Sequence, residues 1–159
     1  MNEILFSNIK LIIWDLDDTF WKGTLSEGKV TAIDSHLLMI KALTDHGIVN
    51  TICSKNDYEP AVDKLKEFGI DDYFVFKSID WTPKGSRISQ LIKNMGLRPV
   101  NCLFIDDNEM NLNEALYYEK ELMTAKPIII PELEKYISSV PPTDTECKRL
   151  KHYKILEKK

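Results

Sequence analysis

The sequence predicts an α/β domain: a doubly wound, Rossmann-like parallel sheet carrying a short flap and no large cap domain. Two observations carry this. Short apolar runs alternate with helical patterns along most of the 159 residues, as crossover-linked parallel strands require. The first run, residues 9–14 (IKLIIW), is almost continuously apolar, as a strand covered on both faces should be. Residues 31–46 follow with Ile33, Leu37, Ile40 and Leu43 at helical spacing, Thr31 and Asp34 as a capping box and Gly47 as the stop. Residues 48–53 form the second strand. Residues 57–68 form a helix with Asp57 as its cap, Pro60 in the first turn and Gly69 at the end. Residues 73–76 read as a third strand, 83–95 as a helix before Gly96, 100–105 as a fourth strand, 112–118 as a helix and 128–130 as a last short strand.

Two segments stand apart. Residues 20–30 (FWKGTLSEGKV), with Gly23 and Gly28, read as a hairpin or flap over the strand ends. Pro141-Pro142 then breaks the chain, dividing it into a domain over 1–140 and a basic C-terminal helix within 141–159, with Thr143 and Glu146 as its cap box and Cys147, Leu150 and Tyr153 along one side. His36, His46 and His152 fall on helical segments away from the strand ends and are expected at the surface.

Composition narrows the function classes. With 21 basic against 25 acidic side chains the net charge is −4, which argues against nucleic acid as a partner. No run approaches the roughly 18 apolar residues of a membrane span, and the acid at Glu3 does not suit a signal peptide, so a cytoplasmic protein is expected. Three widely spaced cysteines fit reduced thiols better than a disulfide framework.

In a doubly wound sheet, ligands bind beyond the carboxyl ends of the strands. There the chain places Asp15, Asp17 and Thr19 after the first strand, Ser54 after the second, Lys84 at a helix start, and Asp106 and Asp107 after the fourth. The separations from Asp15 to Ser54 to Lys84 to Asp106 are 39, 30 and 22 residues, each one crossover unit. Four carboxylates with Lys84 as the one evident cation repel one another and shift toward protonation unless a further cation neutralises them. Hard oxygen donors of this kind suit Mg²⁺ shared with a phosphate.

These motifs, DLDDT (residues 15–19), the strand ending in Ser54, Lys84 and FIDD (104–107), resemble in order all four motifs of the haloacid dehalogenase superfamily of aspartate-nucleophile phosphotransferases, over residues 9 to about 130. WDLDDTFWKG (14–23), ICSKND (52–57), Pro83-Lys84 and FIDDN (104–108) are similar to its FkbH-type, subfamily IIIC, branch. Asp18, Phe20, Lys22 and Asn111 depart from that branch's usual Asn, Leu, Gly and acid. The resemblance implies that Asp15 attacks phosphorus, that Asp17 is general acid and then base, and that Ser54 and Lys84 grip the phosphoryl oxygens. It further implies Mg²⁺ on Asp15, Asp106 and the Asp17 backbone carbonyl. Asp107 would position a metal-bound water or Lys84, and Thr19 would brace the loop.

The implied activity is a Mg²⁺-dependent phosphatase or phosphotransferase on a phosphorylated sugar or small acid. One alternative is an FkbH-type transferase that loads a glyceryl group from 1,3-bisphosphoglycerate onto an acyl carrier protein through Cys53; another is a binding module without turnover. Cys53 is better explained as a small buried residue ending a strand. Trp21 and Trp81 either wall the substrate or pin the flap.

Overall fold

A computed structural model describes residues 2–159. Its centre is a five-stranded, all-parallel sheet in the order β5-β4-β1-β6-β7, with β1 Leu11–Trp14, β4 Val49–Ser54, β5 Ser78–Ile79, β6 Cys102–Ile105 and β7 Met123–Ala125. The doubly wound α/β class is therefore observed. Alternation along β1 divides the core: Ile12 and Trp14 point into one apolar cluster, Leu11 and Ile13 into the other. The first cluster is covered by α1 (Asp34–Asp45), α2 (Tyr58–Glu67) and α5 (Ile130–Ser139). The second lies under α3 (Lys84–Asn94), α4 (Glu109–Tyr118) and Tyr153 of α6 (Lys148–Glu157). Since β1 is enclosed on both faces, its four residues are all buried and apolar.

The flap is a two-stranded antiparallel hairpin, β2 (Lys22–Thr24) with β3 (Lys29–Thr31), which follows β1 after the turn at residues 15–21. Gly23 is required there: its φ is +94°, and a Cβ would lie 2.0 Å from the Lys29 carbonyl oxygen. Among the described residues no large cap is inserted. Among the described residues no helix is long and apolar enough to cross a membrane.

Several local expectations are corrected. Thr31 ends β3, so it forms no capping box with Asp34, and α1 starts without a side-chain cap. Residues 73–76 do not make the third strand: Asp71–Tyr73 is a 3₁₀ turn, Phe74 only bridges to Asn50, and Phe76 takes φ +53°, so regular pairing resumes at Ser78. The last strand is Met123–Ala125 rather than 128–130. Pro127 and Pro131 force the isoleucines between them into a 3₁₀ turn and the first residue of α5. Helix α4 starts three residues before 112, capped by the Asn108 side chain, which accepts from the Met110 N–H at 2.8 Å. At α6 the cap is Asp144, accepting from the Lys148 and Arg149 N–H groups, not the Thr143–Glu146 box. His36 is buried, its Nδ1 2.8 Å from the Phe20 carbonyl, and His46 sits between the Ala42 and Val140 carbonyls; only His152 is exposed. Helix α6 packs on the body through Tyr153, Leu150 and Leu156, and its Lys154 donates to the Phe74 carbonyl at 3.0 Å.

Candidate active site

The turn after β1 sets the site. Thr19, Phe20 and Trp21 N–H groups all bond the Leu16 carbonyl, and Asp18 takes φ +56°, which folds residues 15–19 into a tight loop against the start of α4. Asp15, 6% exposed, receives Lys84 Nζ on Oδ1 at 2.7 Å and the Thr19 hydroxyl on Oδ2 at 2.9 Å. Lys84 Nζ reaches Asp106 Oδ2 at 2.8 Å. Asp106, fully buried, also accepts from the Asn108 N–H at 2.8 Å and from Asn111 Nδ2 at 3.1 Å. The Thr19 hydroxyl lies 3.2 Å from Asp107 Oδ1 and accepts from the Asp107 N–H at 3.1 Å, tying the two strand ends together.

These contacts give the pocket its charge problem. Burial pushes the Asp15 carboxyl up to about 8, Lys84 opposes this, and the Asp106 charge adds to it. Burial alone would lower Lys84, but the Asp15 and Asp106 carboxylates outweigh it and hold its ammonium above the usual range. One ammonium among three acids is too little positive charge. Asp15, Asp106 and Asp107 each offer a carboxylate oxygen within 4.8 Å of the others, a hard-oxygen donor set that fits a divalent cation. The third acid of this cluster is Asp107. The Asp17 side chain is turned away from it.

Asp17 faces the hairpin. Its Oδ1 accepts from Trp21 Nε1 at 2.9 Å and from the Leu25 N–H at 3.1 Å, and its Oδ2 from Asn56 Nδ2 at 3.3 Å. Asn56 Nδ2 also donates to Ser54 Oγ at 2.8 Å. The loops thus gather Asp15, Asp17, Thr19, Ser54, Lys84, Asp106 and Asp107 at one end of the sheet.

The two tryptophans separate. Trp21 is buried and fixes the hairpin to Asp17, which decides in favour of pinning. Trp81 is 56% exposed, with Nε1 donating to Asp57 Oδ1 at 2.8 Å; Asp57 holds the N-cap position of α2, but its side chain orients this indole instead of bonding the helix N–H groups. Cys53 is fully buried against Ile13 and Ile88, and desolvation pushes its thiol up to about 11. A neutral thiol inside the core is a poor nucleophile for acyl capture.

Asn56, beside the β4 strand end, lines the site as its position suggests; Asn111 and Arg87 also belong to it and were not singled out by spacing. Arg87, one turn after Lys84, donates to the carbonyls of Ser54, Ser78, Asp80 and Thr82 and so clamps the end of β4 to β5 and the loop after it. A basic residue three positions after a Lys at a helix start is the signal that could have pointed to it. Gly85 gives α3 its close approach to α4, where a Cβ would fall 2.7 Å from Glu114 and Tyr118 side-chain atoms.

No family model and no curated protein matches the sequence. Solved structures do. The N-terminal, phosphatase-containing part of a Bacteroides fragilis protein, solved with Mg, superposes with a TM-score of 0.70 at 18% identity over 84% of this chain and 41% of that one. A Legionella pneumophila hydrolase assigned to HAD subfamily III A gives 0.61 at 16% identity over 94% and 91%. The 3-deoxy-D-manno-octulosonate 8-phosphate phosphatase of Moraxella catarrhalis, solved with magnesium, phosphate and the sugar acid, gives 0.56 at 24% identity over 72% and 66%. The chain shares the fold of haloacid dehalogenase phosphatases. It spans less than half of the Bacteroides chain and about two thirds of the Moraxella one. None of these three structures is described as a glyceryl transferase, and Cys53, through which transfer to a carrier protein would run, is buried, so that alternative is not supported.

Proposed function

We propose that the protein is a Mg²⁺-dependent phosphatase that works through an aspartyl-phosphate on a small phosphorylated sugar or acid. The observation that carries this is Asp15 held between Lys84 and Thr19, with Asp106 and Asp107 close enough to share one cation. Phosphatases of the same fold solved with Mg, one of them with phosphate and a sugar acid, support the substrate class. Asp15 and Asp106 would hold Mg²⁺ together with the Asp17 backbone carbonyl, and Asp107 completes the acidic group. When bound, the ion supplies positive charge that lets an anionic carboxylate approach an anionic phosphate.

The chain's own residues divide the work. An Asp15 carboxylate oxygen bonds to phosphorus while the bond to the ester oxygen breaks, and Asp17 delivers a proton to that departing oxygen. Asp17, now ionised, takes a proton from water as the water attacks phosphorus. The phosphorus–Asp15 bond breaks, its electron pair returns to the carboxylate, and phosphate leaves. Lys84 Nζ and the Ser54 hydroxyl bind the phosphoryl oxygens where charge builds. Asn56 donates to Ser54 Oγ, which leaves the serine hydrogen free for this contact. Thr19 keeps the Asp15 and Asp107 loops in register.

Phosphate release from a panel of monoesters, with and without Mg²⁺, tests the reading. Turnover that needs Mg²⁺ and disappears in Asp15→Asn is expected. Equal turnover by the variant would overturn it.

A further inference from the structure

We infer that Trp21 is a positioning residue that occupies Oδ1 of Asp17 and thereby assigns the proton transfers to Oδ2. The inference rests on the proposed role of Asp17 as acid and base. A carboxylate oxygen has two in-plane lone-pair directions. On Oδ1 both are taken, by Trp21 Nε1 at 2.9 Å and the Leu25 N–H at 3.1 Å. Protonating Oδ1 would break one of these bonds and leave either the buried indole N–H or the Leu25 N–H without this partner. Oδ2 accepts only from Asn56 Nδ2, at 3.3 Å, and keeps one direction open for a proton.

The same amide ties Oδ2 to the reaction. Asn56, 2% exposed, donates to Ser54 Oγ at 2.8 Å, so the free oxygen of Asp17 is the one joined to the serine proposed to grip the phosphoryl group. Trp21 cannot follow a moving carboxylate: it is 1% exposed and packs edge-on to Phe68, with ring centroids 6.1 Å apart. In the first step the proton on Oδ2 passes to the ester oxygen as the phosphorus–oxygen bond breaks. In the second, Oδ2 takes a proton from the attacking water. Oδ1 keeps its two donors throughout.

A core tryptophan that merely satisfies its N–H on a nearby acid gives the same contacts, and leaving-group dependence separates the two. An alkyl phosphate needs a proton on its departing oxygen; 2,4-dinitrophenyl phosphate does not. For Trp21→Phe, kcat/KM on the alkyl ester is expected to fall about tenfold or more, and to change less than about twofold on the dinitrophenyl ester. Slower breakdown of the aspartyl-phosphate should also produce a burst of dinitrophenolate. If Trp21→Phe does not fold, the benzothiophene analogue of tryptophan at position 21, which keeps the ring shape and lacks the N–H, takes its place. An equal loss on both esters, or none on either, overturns the positioning role. Asp17→Asn in the same assay isolates the parent reading: if it shows no leaving-group split in an active enzyme, Asp17 is not the acid, and if the wild type releases phosphate from neither ester, the phosphatase reading fails and the positioning role with it.

Discussion

Asp15 and Asp17 are two residues apart on one turn and occupy opposite electrostatic settings. Asp15 is buried among charges: Lys84 on one oxygen, Asp106 behind it, and no second cation to balance the group. Asp17 is only partly buried and is held by uncharged N–H donors from the hairpin and Asn56. The difference teaches how a single loop can separate two carboxylate roles. A group that must stay beside a cation and phosphorus is fixed by ionic contacts from the sheet. A group that must gain and lose a proton is fixed by donors whose charge does not change.

The largest expected effect breaks the comparison at Asp15. Asp15→Asn should reduce phosphate release by at least about a thousandfold, because the attacking oxygen is lost. Its stability effect should run the other way. In the folded protein the Asp15 carboxyl is raised to about 8, so between about pH 4 and pH 8 the folded state holds a proton that the unfolded chain has released. The stability of the metal-free protein therefore falls as pH rises through that window, and Asp15→Asn should flatten the decline. Thermal unfolding from pH 5 to pH 8 without metal measures it; parallel wild-type and variant curves would show that Asp15 is not strained by its burial.

Next is Lys84→Met, which leaves Asp15 and Asp106 buried without their shared cation. Loss of one partner from a buried ion pair costs about 3 kcal/mol or more, and here two carboxylates lose the same partner. Urea unfolding at pH 9, above the folded Asp15 value of about 8, should register that loss, and added Mg²⁺ should recover part of it. A variant as stable as the wild type would mean that the acids are solvated or protonated at no cost.

Gly23→Ala attacks the other side. Its Cβ meets the Lys29 carbonyl and its φ is positive, so the hairpin must shift at a cost of about 1–3 kcal/mol. Because the Leu25 and Trp21 donors to Asp17 belong to the hairpin or its root, turnover of alkyl phosphates should fall about tenfold while Mg²⁺ affinity by calorimetry stays within about twofold. An equal loss of Mg²⁺ affinity would show that the two carboxylate settings are not independent.

The contrast between the two carboxylates was only half legible in the sequence. Asp15, Ser54, Lys84 and Asp106 could be placed together because each follows a strand or opens a helix, positions fixed by apolar periodicity and the crossover rule. What escaped was decided by contacts between side chains rather than by periodicity. Asn56 sits beside the β4 strand end, but its bond to Asp17 forms only where the β1 and β4 loops meet, and Asn111 reaches back to Asp106 from the first turns of α4, whose start the spacing did not give. The run III at 128–130 looks like a strand by composition, yet the prolines beside it exclude that, and MTA at 123–125, which looks like little, completes the sheet beside β6. His36 was expected at the surface because a lone helical histidine carries no packing signal. The Phe20 carbonyl that holds it comes from the turn after β1.

The smallest effect concerns the strand that carries Ser54. Neighbouring residues on β4 point to opposite faces: Ser54 meets Asn56 in the site, whereas Cys53 faces the α3 side among Ile13 and Ile88. Cys53→Ala should therefore cost only about 1 kcal/mol of packing and leave kcat/KM within about twofold, whichever ester is used. Thiol labelling of the native protein makes the same point without mutation. Cys147, partly exposed before α6, should react readily, while the buried Cys53 and Cys102, whose thiols desolvation pushes up to about 11 and about 12, should react only on unfolding. Rapid labelling of Cys53 in the folded protein, or its loss abolishing turnover, would bring the thiol back into the chemistry and make β4 a second source of reactive groups alongside the turn after β1.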